Sequence, residues 1–317
     1  MEILVFGAGS LGSLVGGLLA QVHDVTLVGR DPHVTAVREE GLSITGAVDV
    51  HTDPDATTTG TELRADLAVV TVKAYDTGVA AEALATGTYG AVCSLQNGLT
   101  EEILVARLSA GERGGDDEDD SGDVESHTPK ILSGTATYGA RLREPGHVEC
   151  TGVGTIAIGA YGGGSDPWAD RAGEAFDAAG IETQVATDMP RRRWEKLAIN
   201  AGINAPTALA RVKNGELVDG PASDLSREAA RETARVAHAE GVSLSESAAA
   251  AAVEGVADAT AANHSSMRQD IKRGNRTEID AINGVVCDRA STHGIDVPVN
   301  RTLTGLVRAW ETERDLR

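Results

Sequence analysis

The fold is decided by the first stretch of the chain, residues 2–12, which read EILVFGAGSLG. Its apolar run, Glu2–Phe6, predicts a short strand, and the glycine-rich turn after it opens a helix of small residues that extends to Gln21. Asp24–Val28 predicts a second strand. An alternation of strand, helix and strand is typical of α/β proteins with a parallel sheet. The opening segment therefore predicts an α/β domain.

The turn carries its glycines in the spacing G-x-G-x-x-G, between a strand and a helix. In this context the first glycine makes the tight bend, the second lets a pyrophosphate approach the backbone, and the third lets helix and strand pack closely. Amides at the start of the helix then face the phosphates. The alternative is a glycine-rich turn without a ligand. We predict a dinucleotide site formed by Gly7, Ala8, Gly9, Ser10, Leu11 and Gly12.

Arg30 stands at the end of the second strand, where a carboxylate would bind the ribose 2′-hydroxyl of NAD. An arginine there favours the 2′-phosphate of NADP. Asp31 follows directly and could still reach the ribose. We predict NADPH as the cofactor, with NADH as the less favoured alternative.

The α/β pattern continues along the chain and then stops near residue 188. We predict strands over Leu67–Val72, Ala91–Leu95 and Ile131–Thr135, a β-hairpin over His147–Ala160 and a late strand over Thr183–Ala186. Helical periodicity then covers Pro190–Ala205, Ala222–Glu240, Ser243–Asp258, Glu278–His293 and Asn300–Asp315. The predicted fold class is an α/β N-terminal domain, residues 1–187, followed by an all-α C-terminal domain, residues 188–317.

Residues 111–128 interrupt this pattern with the run GGDDEDDSGD. Such a charged segment cannot bury apolar area, so we predict a mobile surface loop between two strands. The ordered ligand spacing of a calcium loop is missing from it. We predict no metal site in the chain.

Composition narrows the classes of partner. The 317 residues are 41% hydrophobic but only 3% aromatic, which predicts a folded protein with a core of small aliphatic side chains. The net charge of −20 argues against nucleic acid and against anionic membranes. Only 5 of the 28 basic residues are lysine, and together with the acidity this favours adaptation to a high-salt cytosol, where screening weakens like-charge repulsion. The alternative is an ordinary acidic protein.

Cys93, Cys150 and Cys287 are far apart and show no metal-ligand spacing, so we expect reduced core residues. Met1 leads directly into a strand, which leaves no room for a signal peptide, and no apolar run approaches membrane-spanning length. We therefore expect a cytoplasmic protein that acts on a small-molecule substrate. The sequence does not fix the oligomeric state and is compatible with a homodimer.

Lys196, Asn200 and Asn204 recur at every fourth position of a stretch that otherwise reads as a buried helix, so they share one helical face. A cation and two amides do not belong in an apolar setting unless something satisfies them. The alternative is an exposed polar stripe. In this acidic chain such a stripe should carry carboxylates, which it lacks, and we therefore favour a functional cleft.

Two further segments, VKA (72–74) and QNG (96–98), stand at the carboxyl ends of predicted strands, where ligands bind in open α/β sheets. Further motifs downstream are WEKL (194–197) with the two Asn that follow, SSMRQD (265–270) and TEIDAING (277–284). Together with the turn Gly7–Gly12, these motifs resemble the ketopantoate reductase (2-dehydropantoate 2-reductase) family over nearly the full length. The resemblance implies a Rossmann domain that binds NADP, a helical substrate and catalytic domain like that of 6-phosphogluconate dehydrogenases, and NADPH-dependent reduction of 2-dehydropantoate to pantoate for coenzyme A synthesis.

The resemblance also implies roles for residues at matching positions. Lys196 would be the general acid that protonates the ketone oxygen, and Glu278 would accept a hydrogen bond from the substrate hydroxyl. Lys73 would line the nicotinamide side of the cleft. The substrate would be bound by Asn97, which also lines the nicotinamide side, and by Asn200, Asn204, Ser266 and Asn263.

Each of these roles has a simpler alternative. Glu278 could be a favourable acid in the first turn of its helix, Ser266 could be a helix cap, and Lys73 could be an ordinary exposed lysine. Two alternative functions also remain: a related two-domain NAD(P)-dependent reductase of another 2-oxo or 3-hydroxy acid, and a non-catalytic NADP-sensing protein. A non-catalytic sensor would not need a proton donor such as Lys196, nor a carboxylate beside it such as Glu278. The presence of both residues argues against this alternative.

Overall fold

The computed structural model describes residues 1–109 and 128–317. The acidic segment 111–128 lies outside the described residues except for Thr128. The described chain forms two compact units: Met1–Gln96 with Thr100–Met189, and Asn97–Leu99 with Pro190–Arg317. The tripeptide Asn97–Leu99 therefore belongs with the second unit, although the residues on both sides of it belong to the first.

The first unit contains all of the strands found in the described residues. They are β1 (Glu2–Phe6), β2 (Asp24–Val28), β3 (Leu42–Gly46), β4 (Val50–Thr52), β5 (Asp55–Thr57), β6 (Arg64–Val70), β7 (Thr88–Ser94), β8 (Lys130–Ala136), β9 (Gly139–Glu144), β10 (His147–Gly152), β11 (Ile156–Ala160) and β12 (Thr183–Val185). The helices of this unit are α1 (Ser10–Leu19), α2 (His33–Glu40), α3 (Thr77–Leu84), α4 (Glu101–Leu108) and α5 (Pro167–Ala178).

A mostly parallel sheet organises this unit, with the described strands in the order β12-β11-β8-β7-β6-β1-β2-β5. Central β1 pairs in parallel with β2 on one side and with β6 on the other. The predicted parallel sheet is confirmed, and β11 runs antiparallel to β8 near one edge. Because the chain moves from β1 to β2 and later returns to β6 on the opposite side, the strand order reverses beside β1. Ligands of open α/β sheets bind outside the carboxyl ends of strands at such a point.

The prediction of a single hairpin over His147–Ala160 is wrong. Its first half, β10, lies between β3 and β9 in a four-stranded sheet, whereas its second half, β11, joins the large sheet beside β8. Apolar alternation tells which face of a strand is buried but not which strand it pairs with. The true hairpin partner of β10 is β9, which the sequence analysis missed.

The second unit is helical throughout its described residues. Its longer α-helices are α6 (Met189–Ala210), α7 (Ser223–Ala239), α8 (Glu246–Ala259), α9 (Ser266–Arg273), α10 (Val285–His293) and α11 (Pro298–Thr312). The sequence analysis predicted all of these except α9, which spans only eight residues and carries few apolar side chains. Among the described residues, no helix is both long enough and apolar enough to span a bilayer.

Helix α6 continues past its predicted end because a neighbouring helix compensates for a proline. Pro206 lies inside α6 and has no N–H to donate to the Gly202 carbonyl, which removes one bond of the helix. The hydroxyl of Ser226, on α7, donates to that carbonyl at 2.7 Å instead. The helix therefore runs to Ala210 instead of ending at Ala205.

The helix predicted over Glu278–His293 begins differently. Asp280–Gly284 form a π-helical turn, and the α-helix α10 starts only at Val285. Glu278 therefore lies before the helical turns and not within a first α-helical turn. The periodicity of side chains cannot reveal this change, because a π-turn adds only one residue to the repeat.

A buried histidine, His33, connects helix α1 to the turn between β9 and β10 within the first unit. His33 is only 5% exposed, and its Nδ1 accepts a hydrogen bond from the Gly146 N–H at 3.0 Å. Its Nε2 must then carry the proton and donate to the Ser13 hydroxyl at 2.9 Å. Burial lowers the pKa of His33 below 6.5. The folded protein therefore holds this imidazole neutral.

The His33 site predicts a loss of stability in mild acid. Because the unfolded chain binds this proton at a higher pH than the folded chain does, the contribution of His33 to the free energy of unfolding is complete above about pH 6.5 and decreases as the pH falls through the folded pKa. Urea unfolding across pH should show this slope in the wild type and a weaker slope in His33→Gln. His238→Gln, at an exposed histidine, is the control and should keep the slope.

Candidate functional site

The glycine turn is held together by contacts that leave no room for side chains. Gly7 follows β1 with a φ of +118°, and a Cβ there would lie 2.5 Å from the amide nitrogen of Val72. A Cβ at Gly12 would lie 2.1 Å from the carbonyl oxygen of Gly7. That carbonyl also accepts a hydrogen bond from the Thr71 hydroxyl at 2.9 Å. The first and third glycines are therefore required by packing between the ends of β1 and β6.

The second glycine faces open space. A Cβ built at Gly9 would meet only the carbonyl oxygen of Gly7, at 4.0 Å. Gly9 is the N-cap of α1, and the first amides of a helix have no partner inside the helix. The side chain of Ser10 accepts a hydrogen bond from the Leu142 N–H at 3.0 Å, so its position is fixed. An open backbone surface at a helix N-terminus fits a pyrophosphate.

Arg30 and Asp31, the two residues that bear on the choice between NADP and NAD, have different side-chain partners. Arg30 is 87% exposed along its side chain and forms an ion pair with Asp76 at 3.0 Å. Asp31 instead accepts hydrogen bonds from the amide and the hydroxyl of Thr35, at 3.2 and 2.8 Å. The carboxylate of Asp31 is thereby committed to the start of α2. Both residues are exposed, and each side chain has a partner close to the end of β2.

Gln96 ties together the ends of β6 and β7, a role that the sequence analysis missed. Its amide nitrogen donates to the Val72 carbonyl at 2.9 Å and to the Thr77 hydroxyl at 2.8 Å. Its amide oxygen accepts from the hydroxyls of Ser94 and Thr100, at 3.2 and 3.1 Å. A buried amide with all of these partners fixes the backbone directly before Lys73. Its place after a strand, beside Asn97, was the signal available in the sequence.

The polar face of α6 is partly withdrawn from solvent. Asn204 is only 4% exposed, and Lys196 and Asn200 are half-buried. This burial disfavours the alternative of a simple exposed stripe. Polar side chains on a partly buried helical face need hydrogen-bond partners. The contacts of Asn200 identify some of these partners.

A chain of hydrogen bonds joins three of the predicted site residues in the second unit. Asn200 donates from Nδ2 to Oδ1 of Asn97 at 3.4 Å, and Asn97 donates from Nδ2 to Oε2 of Glu278 at 3.1 Å. Glu278 is 7% exposed. A buried carboxylate that accepts from an oriented amide has a fixed position and direction. The structure thus brings Asn97 into contact with Asn200, 103 positions away in the sequence, and with Glu278, 181 positions away.

Gly98 explains why Asn97 can reach Glu278. Its φ is +87°, and a Cβ there would lie 2.4 Å from the carbonyl oxygen of Ala281. Ala281 belongs to the π-helical turn that follows Glu278. Only glycine allows the backbone beside Asn97 to approach this turn so closely. The QNG motif therefore consists of one anchoring amide, one site amide and one packing glycine.

The two serines before α9 have different roles. Ser265 is the N-cap, since its hydroxyl accepts from the Arg268 N–H at 3.2 Å, and it also bonds the Thr207 hydroxyl of α6 at 2.7 Å. The alternative that Ser266 is the cap is therefore wrong. Ser266 is the exposed first residue of α9, and Asn263 is exposed as well. Ser265 fixes the start of α9 against the end of α6.

These features define a class of protein. A parallel sheet with a glycine turn suited to a dinucleotide, followed by a helical unit with a buried carboxylate–amide chain beside a lysine-bearing helix, is the architecture of a two-domain dinucleotide-dependent oxidoreductase. The family models named "Ketopantoate reductase PanE/ApbA" and "Ketopantoate reductase PanE/ApbA C terminal" match residues 3–163 and 188–311. The chain belongs to the ketopantoate reductase family, and the resemblance inferred from its motifs is confirmed.

Known relatives agree with this assignment over almost the whole chain. The chain is 44% identical to the 2-dehydropantoate 2-reductase of Halobacterium salinarum, covering 97% of this chain and 98% of the relative. A crystal structure of a PanE/ApbA family ketopantoate reductase from Ralstonia eutropha JMP134 is 29% identical with a TM-score of 0.85, over 99% and 100% of the two chains. The chain is thus an oxidoreductase that reduces ketopantoate.

A third relative shows the breadth of this fold. The structure of a D-mandelate dehydrogenase with NADH and anilino(oxo)acetate is 25% identical, with a TM-score of 0.86, and covers all of both chains. Together with the family, this NADH-bound structure implies a nicotinamide dinucleotide cofactor for the present chain. It does not decide between NADH and NADPH.

Proposed function

We propose that the chain reduces 2-dehydropantoate to pantoate with NADPH, for pantothenate and coenzyme A synthesis, using residues 1–187 to bind the dinucleotide and residues 188–317 for substrate and catalysis. The observation that carries this proposal is the hydrogen-bond chain from Asn200 through Asn97 to the buried carboxylate of Glu278. It presents an oriented acid and two amides, one of which, Asn200, lies on the helix that also carries Lys196. Such a set can hold a hydroxy acid and deliver a proton.

The cofactor would be held by the Gly7–Gly12 turn, by Arg30 and by Lys73, with Asn97 beside the nicotinamide. When bound, a nicotinamide dinucleotide supplies the hydride. The open backbone surface at Gly9 and the first amides of α1, which have no acceptor inside the helix, support a pyrophosphate at this position. The hydrogen bonds of Gln96 support the position of Lys73, since they fix the residue before it.

Lys196 is the proposed general acid. Its ammonium would deliver a proton to the ketone oxygen and would offset the negative charge that develops on that oxygen, contributions that are worth roughly 10²–10⁴-fold in rate for a well-placed acid. Glu278 would accept a hydrogen bond from the substrate hydroxyl and orient it. Asn200, Asn204, Ser266, Asn263 and Asn97 would bind the substrate carboxylate as neutral donors, which do not compete with the lysine for its charge.

Removal of the lysine tests this assignment. We expect Lys196→Ala to lower kcat by at least about a hundredfold while the KM for NADPH changes little, because the cofactor contacts lie elsewhere. The measurement is NADPH oxidation at saturating 2-dehydropantoate over a range of NADPH concentrations, which gives both kcat and the KM for NADPH. Lys130→Ala, at an exposed lysine of β8, is the matched control and should behave as wild type. Lys196→Ala turnover within a few-fold of wild type would disprove the role.

The proposed preference for NADPH rests on Arg30. Loss of a charge-assisted contact of this kind typically costs about 1.5–3 kcal/mol, so we expect Arg30→Ala to raise the KM for NADPH by roughly ten- to a hundredfold and to leave the KM for NADH nearly unchanged. Arg64→Ala, at the amino end of β6, is the control because it lies at the opposite end of a parallel strand from the cofactor site. A wild-type preference for NADH, or equal efficiency with both, would contradict the proposal.

A second candidate substrate class comes from the D-mandelate dehydrogenase relative, whose structure superposes with a TM-score of 0.86. A pocket on the same fold could accept another 2-oxo acid. Turnover of wild-type protein with 2-dehydropantoate and with phenylglyoxylate, the 2-oxo acid that corresponds to mandelate, separates the two. A higher kcat/KM with 2-dehydropantoate supports the first function.

We also propose a cytoplasmic protein adapted to high salt. The net charge of −20 and the excess of 48 acidic over 28 basic residues support this, as does the similarity to a protein of Halobacterium salinarum. Screening of mutual repulsion should then stabilise the fold. We expect the melting temperature to rise steadily between low and molar KCl. An unchanged melting temperature across that range would identify an ordinary acidic protein.

A homodimer remains part of the proposal and can be tested by light scattering in the same buffers.

A further inference from the structure

The segment directly after Glu278 has an uncommon backbone. The Gly284 N–H donates to the Ile279 carbonyl at 2.9 Å, an i to i+5 bond, and the Glu278 carbonyl accepts from the amides of Ala281 and Ile282, both at 3.1 Å. Single π-turns of this kind are rare and often occur at functional sites. A wider turn than the α-helix persists only when its surroundings hold it. Those surroundings can be traced residue by residue.

Asn283 connects the π-turn to α6. Its side chain is completely buried, and Nδ2 donates to the Ala201 carbonyl at 3.1 Å and to Oδ1 of Asn300 at 2.9 Å. Ala201 follows Asn200 directly on α6. One side-chain amide therefore holds the turn that contains Ala281 against the helix that carries Lys196 and Asn200.

The far end of this connection is itself fixed. Asn300, at the start of α11, donates from its side chain to the Ala229 carbonyl at 3.0 Å and to Glu232 at 2.8 Å. The fully buried carboxylate of Glu232 also accepts from the amides of Val299 and Asn300, each at 2.9 Å. The bonds of Asn300 and Glu232 make a rigid support for Nδ2 of Asn283, whereas the buried Oδ1 of Asn283 has no hydrogen-bond partner among the described residues.

The other side of Glu278 is held as well. The amide and the hydroxyl of Thr277 donate to Oε1 of Glu311, at 2.7 and 2.6 Å, and the other oxygen of Glu311 accepts from Arg317 at 2.7 Å. Glu311 is fully buried. Glu278 thus lies between two fixed points, one residue after Thr277 and five residues before Asn283.

We propose that Asn283 is a positioning residue for the reduction. Its amide sets the register of the π-turn on α6, and so fixes the Glu278 carboxylate relative to Asn200 and Lys196 on that helix. The proposal rests on the proposed function. A displacement of about 1 Å at a reacting group can cost about a hundredfold in rate, so a residue that touches neither substrate nor cofactor can still control kcat.

Ser226 offers a matched control. Its hydroxyl is fully buried and donates to the Gly202 carbonyl at 2.7 Å, the neighbour of the carbonyl that Asn283 binds. Ser226→Ala and Asn283→Ala each remove a buried hydrogen bond to one of two adjacent carbonyls of α6, and Asn283→Ala also removes the bond to Asn300. Only the second bond comes from the π-turn. A purely structural role predicts a loss of melting temperature in both variants, larger in Asn283→Ala, and no loss of kcat in either.

The experiment compares kcat, KM and melting temperature of the wild type with those of Asn283→Ala and Ser226→Ala, using 2-dehydropantoate and NADPH. We expect both variants to lose melting temperature, but only Asn283→Ala to lose kcat, by about ten- to a hundredfold, with a KM for NADPH within about twofold of wild type. The same substitution in a Glu278→Gln background should cost less than about threefold, because the group that it positions is already altered. If Asn283→Ala does not fold, Asn283→Leu fills a similar volume and removes the amide donors without burying a charge.

Three results would overturn the proposal. They are a kcat for Asn283→Ala that matches Ser226→Ala, a loss confined to melting temperature, and a loss of full size in the Glu278→Gln background. If the wild type did not reduce 2-dehydropantoate, the proposed function would fail separately. Hydrogen exchange would then decide on Asn283: faster exchange of the Ile282 and Gly284 amides in Asn283→Ala than in Ser226→Ala supports the holding role, and equal exchange contradicts it.

Discussion

The hydrogen bond from Asn97 to Glu278 is the constraint on which the second unit's site depends. It can form only because Gly98 adopts a positive φ and lets the backbone approach the carbonyl of Ala281. A residue that follows a strand of the sheet is thereby incorporated into the helical unit. This close approach of Gly98 allows the Asn97 amide to bond both the Glu278 carboxylate and Asn200 on the polar face of α6.

Buried polar groups, rather than large aromatic side chains, give the helical unit its specificity. Its core is rich in alanine, so many alternative packings would bury similar apolar area. The carboxylates of Glu232 and Glu311 and the amide of Asn283 are fully buried and bonded to named partners in other segments. A shift of one helix would leave several of these groups unsatisfied, at about 1–3 kcal/mol each. Glu311 and Asn283 hold the segments on either side of Glu278, so stability and site geometry have a common origin.

In the first unit the relation between sequence and structure is more local. The bend at Gly7 and the contact of Gly12 with the Gly7 carbonyl involve residues only a few positions apart, and the strands beside them pair in parallel as expected. The ion pair between Arg30 and Asp76 is different, because it joins loops after two separate strands. The sequence could place Arg30 at a strand end but could not show which carboxylate would meet it.

The sequence by itself determined the strand–turn–helix of residues 2–19, the parallel sheet, most of the helices of the second unit and the shared helical face of Lys196, Asn200 and Asn204, because these features depend on local periodicity and local steric limits. Only the tertiary structure decided that β10 pairs with β9 and β3, that a π-turn follows Glu278, and that distant side chains support it. Pairing partners and buried hydrogen bonds join residues far apart in the chain, and a periodic pattern carries no information about which distant group will satisfy them.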